Sequence, residues 1–174
     1  MSKKYTLIYK GEILFKFGVL FLMSAPIIGI ISILSSSIIS IIAKNRSLIK
    51  DKLNIPIFIS FGILLISTLR NLIYFEGINN RIDLFLDLFN WIPFFIIFIT
   101  IPTYLNKQSQ REQFSKLIII SSFPILFSSF LQNNLNIYGP FSFLNGLIVW
   151  YQREPGITSQ SITGLFNNPN YTGF

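Results

Sequence analysis

Cysteine and histidine are both absent from this 174-residue chain, and charge is scarce: only 12% of residues are charged, among them seven Asp and Glu. Soluble domains carry about 25% charged residues. Without thiols the chain forms no disulfide and no thiolate metal site, and this says nothing about its compartment. Without imidazole it lacks the ordinary general base at neutral pH and the commonest metal ligand. Acid–base work inside these residues falls to the seven carboxylates.

What remains is apolar: 51% hydrophobic and 16% aromatic residues, with a mean hydropathy of +0.58. Four apolar blocks, Ile13 to Ala43, Leu53 to Thr68, Leu84 to Leu105 and Leu117 to Leu131, are separated by polar loops that hold most of the charge. Their lengths approach or exceed the roughly 20 residues that cross a bilayer. Lys3, Lys4 and Lys10 precede an apolar run too long for a signal-peptide core, so that run is read as retained. The formal net charge of +7 is spread over several loops, which fits topology and anionic lipid rather than nucleic acid.

If every block crossed once, the fourteen Lys and Arg would divide equally between the two sides, seven each, against the positive-inside bias. A hairpin at Ser24-Ala25-Pro26, where proline interrupts the helix, restores it. Eleven basic residues then share the inner side with the N-terminus, and Arg70, Arg81 and Arg153 lie outside. The expected fold is an all-α polytopic transmembrane helix bundle of about five hydrophobic segments. It begins with a short hairpin whose first leg is Ile13 to Met23 and belongs to a single membrane domain over residues 1–174. The polar stretch from Asn106 to Gln113 reads as a solvated inner loop, and 132–168 as an extracytoplasmic segment.

Within that outer segment, Leu144, Leu147, Ile148 and Tyr151 fall at i, i+3, i+4 and i+7, the spacing of an interfacial helix over Gly139 to Gln152. Trp150 and Tyr151 suit the headgroup boundary. Arg153 is the one basic residue after Leu131. It can pair a phosphate bidentately, pair with Glu154, or extend to the interface. Asp83 and Asp87 share a helix face near a helix start, where the dipole favours negative charge. No ionisable residue lies well inside a block, which counts against a transporter with a midplane site.

The chain closes on Gly164-Leu165-Phe166-Asn167-Asn168-Pro169-Asn170-Tyr171-Thr172-Gly173. Asn168 before Pro169 predicts a helix N-cap with proline at the first helical position, so a further span is expected from about 169. That helix start presents free N–H groups to an anion, and Asn167, Asn168 and Asn170 join Arg153 as candidate substrate-binding residues. A chain that stops where a helix starts is expected to be the N-terminal part of a longer protein.

This closing motif, with Leu144-Asn145-Gly146-Leu147-Ile148 leading to Trp150-Tyr151-Gln152-Arg153, resembles the O-antigen ligase and polymerase superfamily, in particular its cyanobacterial members. Asn90-Trp91-Ile92-Pro93-Phe94, Tyr104-Leu105 with Gln110-Arg111, and Ser24-Ala25-Pro26 add to the likeness, in the expected order. The resemblance implies a multi-pass inner-membrane enzyme with a cytoplasmic N-terminus. Such an enzyme moves a glycan from an undecaprenyl-diphosphate carrier to a glycan, lipid or protein acceptor on the outer face. It implies no metal or nucleotide cofactor, since the diphosphate is the leaving group, and charge neutralisation by Arg with a base for the acceptor hydroxyl. The family's important Arg and His residues lie in an outer loop beyond the closing motif, so the resemblance assigns no catalytic residue here and implies that these residues alone are inactive. Two other readings stay open: a permease fragment for a small anion such as bicarbonate, a role that the same resemblance to cyanobacterial members also implies, and a non-enzymatic membrane scaffold. The topology is tested by single cysteines: Ser109→Cys is expected to label only from the cytoplasmic side and Ser159→Cys only from outside, and the reverse pattern discards the hairpin.

Overall fold

The computed structural model describes residues 3–74, 91–154 and 162–166. They form five helices and one small antiparallel hairpin, the all-α membrane architecture expected from the apolar blocks. The helices are α1 (Lys3–Phe21), α2 (Pro26–Lys50), α3 (Ile55–Tyr74), α4 (Trp91–Thr103, closing in a 3-10 turn) and α5 (Gln108–Leu135). Three stretches are long and apolar enough to cross a membrane: Pro26–Lys44, Lys52–Ile73 and Gln108–Leu135, with Trp91–Thr103 a shorter apolar helix.

The first apolar block does not run as one helix. Pro26 has no N–H to continue α1 and opens α2 instead, where its fixed φ suits the first turn. Between the helices the chain turns over residues 22–25, with the Ala25 N–H on the Phe21 carbonyl at 2.8 Å and the Gly29 N–H on the Ala25 carbonyl at 3.0 Å. The first leg is longer than Ile13 to Met23. No proline interrupts Lys3–Phe21, so the helix extends through Lys10, Glu12 and Lys16, and with that charge it is not among the three helices long and apolar enough to cross a membrane.

Two other boundaries move for equally local reasons. The expected loop Asn106 to Gln113 is mostly helix, because α5 starts at Gln108. There the Gln110 side chain accepts the Lys107 N–H at 3.0 Å, and Gln108 donates to Glu112 at 3.1 Å, so polar side chains cap and brace the first turns. Near the other end of α5, Pro124 is accommodated within the helix, preceded by Ser121 and Ser122, whose hydroxyls donate to the carbonyls of Ile118 and Ile119. Asp51 caps the turn that leads into α3, its carboxylate accepting the Leu53 N–H at 3.0 Å.

The chain divides into two compact units, Met1–Glu12 with Leu34–Asn106, and Ile13–Ile33 with Lys107–Phe174. Small polar side chains form the seam of the first. Ser36, Ser37 and Ser40 of α2 are buried, as are Thr100 and Thr103 of α4. Thr100 Oγ1 donates to Ser37 Oγ at 2.8 Å and also lies 2.8 Å from the Ile96 carbonyl oxygen, while the Ser40 and Thr103 hydroxyls are 2.7 Å apart. The Tyr104 hydroxyl, one residue beyond α4, donates to the Ser36 carbonyl at 2.6 Å, and Gly11 of α1 leaves room for that ring. Short side chains let the backbones approach, and their hydroxyls bond across the gap where lipid offers no hydrophobic gain from helix association. The apolar side chains face outward instead, with Ile59, Ile63, Ile66 and Ile73 of α3 more than half exposed.

In the second unit α1 and α2 meet at glycine. A Cβ on Gly29 would lie 2.6 Å from the Leu22 Cα, and one on Gly18 would lie 2.6 Å from Ile33 and 2.9 Å from the Gly29 carbonyl oxygen. Since the Leu22 obstruction is backbone, Gly29→Ala is expected to destabilise the protein by about 1–3 kcal/mol. Gly62→Ala in α3, where a Cβ meets nothing within 4 Å, should instead gain up to about 1 kcal/mol. Unfolding of the two variants in mixed micelles, followed by helical circular dichroism, measures both.

Candidate functional site

Beyond α5 the second unit contains a cap formed by residues 136–154 and 162–166. Asn136 ends the helix in the left-handed conformation (φ 51), and the Ile137 N–H reaches back to the Leu131 carbonyl at 3.3 Å. Next comes an antiparallel hairpin, β1 (Phe141–Phe143) against β2 (Ile148–Trp150), with Phe141 opposite Trp150 and Phe143 opposite Ile148. The interfacial helix expected over Gly139 to Gln152 is therefore corrected to a hairpin. The loop residues Leu144, Asn145 and Gly146 all have positive φ (50, 54 and 89), which no right-handed helix accommodates. The signal for this was Asn145-Gly146 between two short aromatic and β-branched runs, a strong local pattern for a hairpin. The i, i+3, i+4 spacing of Leu144, Leu147 and Ile148 coincides with it.

After β2 the chain pairs a second time. The Tyr151 N–H donates to the Leu165 carbonyl at 3.0 Å, the Gln152 N–H to the Gly164 carbonyl at 3.1 Å, and the Gln152 carbonyl accepts the Gly139 N–H at 2.9 Å. Two buried glutamines, each 2% exposed, join this layer to α5. Gln132, on the last turn of α5, donates through Nε2 to the Arg153 carbonyl at 2.5 Å and to Thr163 Oγ1 at 3.2 Å. Its Oε1 accepts the Thr163 and Gly164 N–H groups at 3.2 and 3.0 Å. In the opposite direction, Gln152 Nε2 donates to the Ser128 carbonyl on α5 at 3.1 Å. Thr163 Oγ1 also accepts the Arg153 N–H at 2.9 Å.

Arg153 emerges from this network with its backbone held and its side chain exposed. Among the described residues its guanidinium has no ion-pair partner, Glu154 included. Asn167, Asn168 and Asn170, the expected N-cap at Asn168-Pro169 and the paired Asp83 and Asp87 lie outside the described residues. Gly164, the first residue of the closing motif, is buried with φ 54 and anchored at both its N–H and its carbonyl. Gln132 did not stand out in the sequence, since an isolated amide carries no pattern, and Gln152 entered only as part of the run Trp150-Tyr151-Gln152-Arg153, with no role of its own.

A cavity of about 180 Å³ adjoins the cap, lined by Met23, Ser24, Pro26, Val149, Trp150, Tyr151, Leu165 and Phe166. The Trp150 indole N–H donates to the Ser24 carbonyl at 2.9 Å, which bonds the ring to the α1–α2 turn. Compared with protein-family models, curated proteins and solved structures, the chain matches none. Trp150→Phe keeps the ring and removes the donor; it is expected to cost about 1 kcal/mol, read as a lower unfolding midpoint of the detergent-solubilised chain.

Proposed function

We propose that this chain belongs to a membrane apparatus that transfers a glycan from an undecaprenyl-diphosphate carrier to a glycan or lipid acceptor, in the manner of O-antigen ligases and polymerases. In this reading the N-terminus is cytoplasmic, the membrane is the bacterial inner membrane, and the cap of residues 136–154 and 162–166 lies on the outer face. The observation that carries it is Arg153, an exposed guanidinium on a fixed backbone, two residues after Tyr151 of the cavity lining and in the residue run that resembles the family. A planar guanidinium donates to two phosphate oxygens at once and cannot lose its proton, which suits a diphosphate in every protonation state. The described residues bind and orient; no base for the acceptor hydroxyl is assigned among them.

The purified chain in nanodiscs should therefore bind undecaprenyl diphosphate more tightly than undecaprenol. Arg153→Ala should weaken diphosphate binding about tenfold or more, and Arg153→Lys, which keeps the charge but not the fork, by an intermediate factor. Equal affinity for the diphosphate and the alcohol, or wild-type affinity in Arg153→Ala, would sink the reading.

A further inference from the structure

Resting on that reading of Arg153, we infer that Gln132 and Thr163 are its positioning residues: they lock the arginine backbone to the end of α5 so that the guanidinium is presented to the diphosphate in one place. Both backbone polar groups of Arg153 are taken, the N–H by Thr163 Oγ1 at 2.9 Å and the carbonyl by Gln132 Nε2. Gln132 is in turn saturated, since its oxygen accepts two amides and its nitrogen donates twice. Among side chains only a primary amide combines two donors with an acceptor of two bonds. Asparagine would be one methylene short; leucine would leave the Thr163 and Gly164 N–H groups buried and unpaired.

Locking the backbone removes entropy before the ligand arrives, so binding orders only the arginine side chain. Holding Thr163 and Gly164 on the same amide also seats the closing motif next to Arg153, linking two stretches that the sequence separates by ten residues. The lock sits on a helix long and apolar enough to cross a membrane.

The test uses the full chain in nanodiscs and two readouts: the rate of trypsin cleavage after Arg153, and affinity for undecaprenyl diphosphate. Thr163→Val and Gln132→Leu are expected to speed cleavage and weaken diphosphate binding, each about tenfold, while Thr163→Ser, which keeps the hydroxyl, behaves as wild type. Gln132→Glu adds a signature that a purely structural role would not give. When ionised it has no donor for the Arg153 carbonyl, and when protonated it regains one, so its affinity relative to wild type should recover as pH falls from about 8 to about 5. Faster cleavage in Thr163→Val with wild-type diphosphate affinity overturns the inference and leaves Arg153 as the diphosphate contact. Wild-type cleavage in both Thr163→Val and Gln132→Leu overturns it as well. Unchanged affinity in Arg153→Ala overturns the underlying reading and the inference together.

Discussion

Two glutamine side chains crossing in opposite directions hold the second unit of this protein together. Gln132 reaches from α5 into the cap and Gln152 reaches from the cap to the Ser128 carbonyl of α5. The constraint they answer is backbone satisfaction. The cap is too short to pair all its N–H and carbonyl groups in a two-stranded hairpin, and each one buried unpaired beside a membrane would cost several kcal/mol, on the order of a whole stabilising contact. Among the described residues no strand lies opposite the amides of Thr163 and Gly164, and a side-chain oxygen replaces one. From that replacement follow the position of Arg153, the burial of Gly164 and the second pairing of Tyr151 and Gln152.

The first unit meets the same constraint with hydroxyls. Ser36, Ser37, Ser40, Thr100 and Thr103 are buried, while large aliphatic residues of α2, α3 and α5 are exposed. Relative to a water-soluble domain the distribution is inverted, and the physics explains it. When lipid surrounds the helices, outward isoleucine loses nothing, and what distinguishes the interior is close backbone approach and hydrogen bonding. The same logic places glycine at Gly11, Gly18 and Gly29, where neighbouring atoms occupy the space of a Cβ.

Much of the helical architecture was legible in the sequence because it depends on long-range composition. Apolar length gave the helices, and Pro26 gave the break between α1 and α2. Helix limits were less legible. Polar capping by Gln110 and Gln108 carries α5 back to residue 108, a matter of side-chain geometry that hydropathy does not register. The cap was misjudged where two periodicities overlapped: Leu144, Leu147 and Ile148 satisfy a helical spacing, but Asn145-Gly146 makes the turn that decides the conformation. Arg153 could be singled out because charge is rare after Leu131. Its partners could not, because a buried amide acquires meaning only when the chain brings Thr163 and Gly164 to it.

The central claim is that the Gln132 amide serves as the missing strand partner of residues 163 and 164. Amide hydrogen exchange resolved to Thr163 and Gly164, in the intact chain in nanodiscs, tests it most directly. The account predicts that both exchange far more slowly than free peptide and that Gln132→Leu releases both without releasing the Tyr104-bonded seam of the first unit. Exchange of the Thr163 and Gly164 amides at the free-peptide rate in the unaltered chain would contradict it.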